Sequence, residues 1–180
     1  MSKEYFLPLS IYVHIPWCIH KCPYCDFNSH EFQGQDIKHN EIIYTNALIK
    51  HLESTNFSSR RPIHSIFFGG GTPSLFSPAA FEKIINKISH KFGLEDNCEI
   101  TIEANPGTVD KKYFYGYKDA GINRMSLGIQ SFNDKHLQKL ERIHNKQEAY
   151  EAAKLAVKLF DKVNIDLMFA LPEQTQLELK

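Results

Sequence analysis

The sequence predicts an α/β fold in which about five parallel β/α units form part of a TIM-like barrel. Two observations carry that expectation. Apolar positions switch repeatedly between the two-residue period of strands and the longer period of helices. Glycine, proline and polar residues also recur just beyond each strand-like run, where parallel α/β folds place their sites. Strands that alternate with helices imply parallel neighbours joined by right-handed crossovers.

Residues 10–16 (SIYVHIP) are rich in β-branched and aromatic side chains and read as a strand ending at Pro16. After a loop holding three cysteines, residues 36–53 space Ile37, Ile42, Ala47, Leu48 and Leu52 as a helix. Residues 64–68 (HSIFF) read as a buried strand running into Gly69, Gly70 and Gly71. Ser77 and Pro78 suit an N-cap and first helical position, and that helix extends to about Phe92. Residues 98–104 (CEITIEA) alternate as a third strand, which stops at Asn105-Pro106-Gly107. Asp110 is placed to cap a helix that closes at Gly121. The fourth strand covers 124–130 (RMSLGIQ), followed by a helix from Asn133 and another over 146–160. The fifth covers 163–169 (VNIDLMF) and ends at Leu171-Pro172.

The last residues, PEQTQLELK, can begin a helix but not complete one. A parallel strand needs helical cover on its faces and a neighbour on its edge. Residues 1–180 are therefore expected to be the N-terminal part of a longer barrel domain, truncated before the barrel is complete. Its unfinished edge should favour aggregation of the piece alone. No repeat, low-complexity segment or internal linker divides the chain.

Composition is that of a globular protein: 42% hydrophobic and 23% charged residues argue against disorder. Lysine plus arginine and aspartate plus glutamate both number 21, so no net field recommends nucleic acid or an anionic membrane as partner. The N-terminal run is broken by Pro8 and His14, a poor signal peptide, and no apolar run approaches membrane-spanning length. The expected location is cytoplasmic, where cysteines serve as thiolates or metal ligands and not as disulfides.

Three of the four cysteines fall within "HIPWCIHKCPYC", as C-x3-C-x2-C at Cys18, Cys22 and Cys25. Three small buried residues would be the plain reading. Buried thiols have no reason to crowd a loop carrying histidine, lysine and two prolines. Zinc is a rival, with His14, His20 or His30 as fourth ligand, but zinc sites commonly use two separated ligand pairs. A cubane iron–sulfur cluster suits the compact triplet better, because thiolates are its usual ligands and one loop can wrap it. Three ligands leave one iron open for another molecule. Cys98, far along the chain, reads as a packed thiol.

C-x3-C-x2-C after a first strand resembles the radical S-adenosylmethionine (SAM) superfamily. That resemblance implies a partial radical SAM (β/α) barrel holding a [4Fe–4S] cluster whose open iron is chelated by SAM. It also implies an electron donor, since one electron from the cluster cleaves the sulfonium to a 5′-deoxyadenosyl radical. The stretches "YVHIPWCIHKCPYCDFNSH", "FFGGGTPSLF", "IEANPGT", "GINRMSLGIQSFND", "LERIHN" and "NIDLMFALPEQT" occur in family order from residue 12 to the end. Together they resemble the coproporphyrinogen III dehydrogenase-like group, and within it the haem-chaperone branch.

Each remaining candidate has a plain reading beside the one that the resemblance implies. Gly70, Gly71 and Thr72 belong to a tight turn, but glycines at a strand end also let a ligand approach backbone polar groups, and the family puts SAM contacts there. Glu103 shares a strand face with Glu99 and Thr101, which a barrel points inward, where a carboxylate needs a partner. The resemblance implies that Glu103 binds SAM, through ribose hydroxyls, and that Gln130 is a second SAM contact. Arg142 alone would be an exposed helix arginine paired with Glu141; the resemblance makes it a ligand for an anionic group. Asp166 lies in an apolar strand, so burial demands a partner. Tyr12 and Tyr24 would otherwise be barrel and loop aromatics. The family makes Asp166 and both tyrosines SAM-site residues. His144 is left without a role.

Two departures from the dehydrogenase pattern bear on activity. That enzyme has a further cysteine two residues after the third, where this chain has Phe27, and a longer N-terminal extension. Both favour the haem-chaperone branch, which binds haem as cargo and delivers it to haem-accepting proteins such as respiratory enzymes. The alternatives are oxygen-independent decarboxylation of coproporphyrinogen III and a structural zinc module. The resemblance places a C-terminal domain beyond this chain, and haem binding and partner contacts with it.

Overall fold

The computed structural model describes residues 7–33, 36–56, 61–108 and 111–179. In chain order they form β1 (Leu9–Ile15), β2 (Trp17–Cys18), β3 (His30–Glu31), α1 (Ile37–Ser54), β4 (Ile63–Gly70), α2 (Pro78–Phe92) and β5 (Leu94–Ala104). Then come α3 (Lys111–Asp119), β6 (Arg124–Gln130), α4 (Asp134–Lys139), α5 (Lys146–Leu159) and β7 (Lys162–Leu167). The five long strands make one sheet in the order β1-β4-β5-β6-β7, parallel at every junction. Each strand lies beside the next long one in sequence, which is the progression of an open barrel segment. The expected α/β architecture is therefore present.

Several boundaries differ from those expected. β5 begins four residues early because Leu94 pairs with Ile63, after which the register shifts. β7 stops at Leu167, short of Phe169, and is exposed along most of its length at the end of the sheet order. α3 ends at Asp119, and Gly121 follows with φ 97°. Asp110, expected to cap that helix, lies outside the described residues. Ser77 does sit at the N-cap of α2, but its side chain makes no cap hydrogen bond. Its hydroxyl donates to Oε1 of Glu41 at 2.7 Å instead, and its N–H to Oε2 at 2.5 Å. One carboxylate of α1 thus holds the start of α2.

The two faces of the sheet have opposite chemistry. Val13, Ile15, Ile66, Phe68, Ile100, Ile102, Met125, Leu127 and Ile129 are buried against the helices. The alternate positions form a polar inner face, since successive side chains of a strand point to opposite sides. On it Glu99 pairs with Lys162 at 2.7 Å and faces Arg124 at 3.9 Å, while Arg124 donates to Thr101 Oγ1 at 3.2 Å. Ser126 and Asn164 continue the network toward Asp166. A closed eight-stranded barrel fills this space with branched apolar side chains. Here the polar face suits water and ligand.

Tyr117 of α3 is fully buried and meets the Phe81 ring edge-on at 5.4 Å. Its hydroxyl donates to the carbonyl of Phe76 at 2.8 Å, with that of Ser74 at 3.1 Å. Both carbonyls lie in the turn following Gly69–Thr72 residues of the β4 loop, so the tyrosine supports the site from behind. Tyr117→Phe is expected to leave those buried acceptors short of a donor and to cost about 1–2 kcal/mol. Urea midpoints of the variant and parent measure it; equal midpoints would mean that the carbonyls are satisfied otherwise.

Candidate functional site

The cysteine loop is held by its own backbone and by residues on three sides. β2 and β3 pair in parallel, Trp17 with His30 and Cys18 with Glu31, a small bridge not foreseen from the sequence. His30 N–H donates to Pro16 O and Phe32 N–H to Cys18 O, each at 2.7 Å. Lys21 Nζ donates to the carbonyls of Phe27 and Ser29. His14 Nε2 lies 2.8 Å from Asn28 O. The Trp17 ring packs on Tyr44 and Phe76 at 4.8 and 5.9 Å, which fixes the loop against α1 and the turn after β4. Cys18 is buried, Cys22 and Cys25 are half-buried, and all four thiols including Cys98 are free.

The three loop thiols line one pocket at the C-terminal ends of the strands. Tyr24, Gly71, Thr72, Glu103, Gln130, Arg142 and Asp166 line it with them. Seven of the nine other candidates are thus brought together from six places in the chain. Tyr12 and Gly70 do not line the pocket. Tyr12 is exposed, its hydroxyl 3.0 Å from His14 Nδ1, and a Cβ built on Gly69 would meet its ring at 3.0 Å. Gly70 stands behind the pocket, its N–H donating to Glu103 Oε2 at 3.2 Å. The pocket also includes His20 and Phe27, and with them Asn105, Ser126 and Gly128, which had carried no signal beyond their nearness to the motifs.

The N–H groups of the glycine turn are used within the chain. Gly70 N–H is given to Glu103, Gly71 N–H to Ile15 O at 2.8 Å, and Thr72 N–H to Trp17 O at 2.7 Å. These bonds lock the turn to β1 and the cysteine loop. Gly70 has φ 124°, which L side chains rarely adopt. A Cβ at Gly71 would lie 2.6 Å from Trp17 O and 2.8 Å from its carbonyl carbon. The glycines are needed because two backbones touch.

Glu103 faces inward as expected. Burial pushes its carboxyl pKa up, as does the Asp166 charge, while the Gly70 N–H and His14 act the other way. Asp166 corrects the expectation of burial: it is exposed on the end strand, although it does have partners in Ser126 Oγ at 3.4 Å and Asn164 Nδ2 at 2.7 Å. Gln130 ends β6 at φ 67°, uncommon for a residue with a side chain, and its carbonyl accepts from Met168 N–H at 2.9 Å. Arg142 does not pair with Glu141. Its Nη2 donates to Gly128 O at 2.6 Å, its Nη1 lies 3.5 Å from Cys22 Sγ and 3.3 Å from Tyr24 Oη, and its buried Nε has no hydrogen-bond partner. Burial lifts the Tyr24 phenol to about 12, against the pull of the Arg142 charge.

His144, left without a role above, is buried beneath the pocket. It donates from Nε2 to Ile129 O at 3.1 Å, and its Nδ1 meets the Asn105 side-chain amide at 3.2 Å. Burial, and then the Arg142 charge, bring its pKa down from 6.5 to about 4. The folded value lies below the unfolded one, so the unfolded chain takes the proton first as pH falls. Stability held above about pH 6.5 should drain away down to about pH 4, on the order of 2 kcal/mol. Urea midpoints across that range should fall more for the parent than for His144→Gln. Parallel profiles would remove His144 from the acid response.

The donor set fits an iron–sulfur cluster with a small anionic molecule beside it. Three free thiols, a half-buried guanidinium with a buried, unpartnered Nε, and an inward carboxylate surround one pocket. The zinc alternative is poorly served by its histidines. His14 lies between Tyr12 and Asn28, and His20 between Glu31 at 3.1 Å and Glu141 at 2.9 Å. Among the described residues no three histidine, cysteine, aspartate or glutamate side chains are gathered tightly enough to hold a metal ion. No helix among them is long and apolar enough to cross a membrane.

Comparison with known proteins agrees with this geometry. The radical SAM superfamily profile matches residues 12–180. The heme chaperone HemW of Haemophilus influenzae is 52% identical over 174 residues, 93% of this chain and 45% of the relative. That of Escherichia coli is 46% identical over 170 residues, 93% of this chain and 44% of the relative. The chain thus spans slightly less than half the length of these curated relatives. Among solved structures, coproporphyrinogen III oxidase (HemN) from Escherichia coli, described as a radical SAM enzyme, superposes with TM-score 0.85 at 28% identity. The match covers 96% of this chain and 39% of that one.

Proposed function

The chain belongs to the radical SAM superfamily, and on that premise we propose that it is the cluster-bearing N-terminal part of a cytoplasmic haem chaperone. The superfamily implies a [4Fe–4S] cluster and SAM. One observation carries the assignment of their site: the thiols of Cys18, Cys22 and Cys25 share a pocket with Glu103, Gln130, Arg142 and the Gly71-Thr72 turn. The three thiolates would hold the cluster. Arg142 would set its positive charge beside the carboxylate of SAM. Glu103 would accept from ribose hydroxyls, with Asp166 and Gln130 completing the polar wall, Tyr24 the loop side and Gly70 the backing of Glu103. Tyr12, which feels the Glu103 charge, would stand near the same ligand without lining the pocket. Bound together, cluster and SAM supply reductive sulfonium cleavage; the residues named here bind, orient and exclude water.

The haem-carrying part of the reading is supported by the chaperone relatives and by Phe27. That side chain stands where the dehydrogenase pattern has a further cysteine, and it lines the pocket while remaining 65% exposed. Haem binding, and delivery to acceptors such as respiratory enzymes, would reside in the remainder of a longer protein. The structural likeness to coproporphyrinogen III oxidase favours a second reading, porphyrinogen decarboxylation. An anaerobic assay of the full-length protein with SAM, reductant and coproporphyrinogen III separates them. Haem transfer to an apo-acceptor without vinyl product supports the chaperone. Stoichiometric vinyl product would overturn it in favour of the enzyme.

A further inference from the structure

We propose that Arg142 sets the reduction potential of the cluster, acting on it through the sulfur of Cys22. The proposal rests on the assignment of Cys18, Cys22 and Cys25 as cluster ligands. Its geometry is independent of any SAM contact. Arg142 comes from the turn after α4, 120 residues from the cysteine loop, yet its Nη1 lies 3.5 Å from Cys22 Sγ. The other end of the guanidinium is fixed, with Nη2 donating to Gly128 O at 2.6 Å. The turn itself is clasped to the cysteine loop next door. His20 Nε2 lies 2.9 Å from Glu141 Oε2, and its Nδ1 is 3.1 Å from Glu31 Oε1, so one ring ties the residue before Arg142 to both arms of the loop. Glu141 takes φ 52° to make this contact. Lys21, the cation within the loop, is turned to the carbonyls of Phe27 and Ser29.

The electrostatic consequence follows from the charge that reduction adds. One electron enters from an external low-potential donor; no bond forms or breaks, and the cluster becomes more negative by one charge. A fixed cation donating a hydrogen bond to a ligand sulfur stabilises the reduced form more than the oxidised form. Glu103 and Asp166, which line the same pocket, oppose it. Removing the guanidinium takes away that stabilisation, and the cluster becomes harder to reduce. Arg142 thus makes the electron easier to load before any SAM is bound.

The test is a potentiometric titration, followed by electron paramagnetic resonance, of anaerobically reconstituted full-length protein without SAM and with dithionite as donor. In Arg142→Gln the reduced-to-oxidised ratio at a fixed potential is expected to fall about tenfold, which is about 59 mV for one electron. Arg142→Lys keeps the charge but not the fork and should fall between the two. A Gln variant that titrates with the parent overturns the proposal. If that variant holds no cluster, Arg142→Lys decides: a lowered ratio supports the proposal and a parental one overturns it. A parent protein without iron and sulfide overturns the cluster assignment itself, which is a separate failure, seen before any titration begins.

Discussion

Serine in place of Cys18, Cys22 or Cys25, one at a time, is expected to lower bound iron and acid-labile sulfide by about tenfold or more. Each thiolate would hold one iron of the cluster, and a serine hydroxyl is a far poorer ligand for it at neutral pH. The loop has no spare sulfur to substitute. Cys98, the remaining cysteine, is buried in the core with its thiol pKa pushed up by burial and by Glu95 and Glu99. Cys98→Ser therefore supplies the contrast. It should retain iron and sulfide and lose only stability, from placing a hydroxyl among apolar side chains. Iron and sulfide analysis after anaerobic reconstitution reads both classes. Full retention in any of the three loop variants would contradict the ligand assignment.

The second large effect is expected at Gly71. An alanine Cβ there would meet the Trp17 carbonyl oxygen at 2.6 Å, its carbon at 2.8 Å and the Pro16 carbonyl carbon at 3.0 Å. All three are backbone atoms, so no side chain can swing aside. The two chains must separate, which breaks the bonds from Gly71 N–H to Ile15 O and from Thr72 N–H to Trp17 O. We expect Gly71→Ala to cost about 3 kcal/mol. It should also weaken SAM binding and cluster retention together, because the same bonds hold the cysteine loop to the turn. Denaturation midpoints and iron content of one preparation check both. A stable variant with a full cluster would show that the loop and turn are not coupled in this way.

Much of this arrangement was legible in the chain because its signals are local. Strand periods, the C-x3-C-x2-C spacing and the glycine run each occupy fewer than a dozen residues, and all lie where the parallel sheet needs them. The inward face of β5 was also legible, since alternation alone puts Glu99, Thr101 and Glu103 on one side. What escaped was set by contacts between distant segments. Ser77 sits at an N-cap, but Glu41 of α1 offered its hydroxyl a stronger, charged partner. The acceptors of the glycine-turn amides, Glu103 of β5, Ile15 of β1 and Trp17 beside the cysteine loop, lie in distant segments. Asp166 was expected to be buried because its neighbours are apolar, whereas β7 ends the sheet order and leaves it exposed. His20 read only as a possible zinc ligand, and His144 carried no role. Their roles as a clasp and a buried prop depend on Glu141 and Asn105, 121 and 39 residues away.

The central claim is that three protein thiolates hold a four-iron cluster whose remaining iron is open to SAM. Electron paramagnetic resonance of the dithionite-reduced, reconstituted protein, recorded with and without SAM, tests it most directly. A reduced-cluster signal is expected, with g-values that shift when SAM is added. That shift should vanish in Glu103→Ala combined with Arg142→Gln, while a cluster signal, weaker because reduction is harder, persists. A signal indifferent to saturating SAM, or a protein holding zinc and no sulfide, would contradict it.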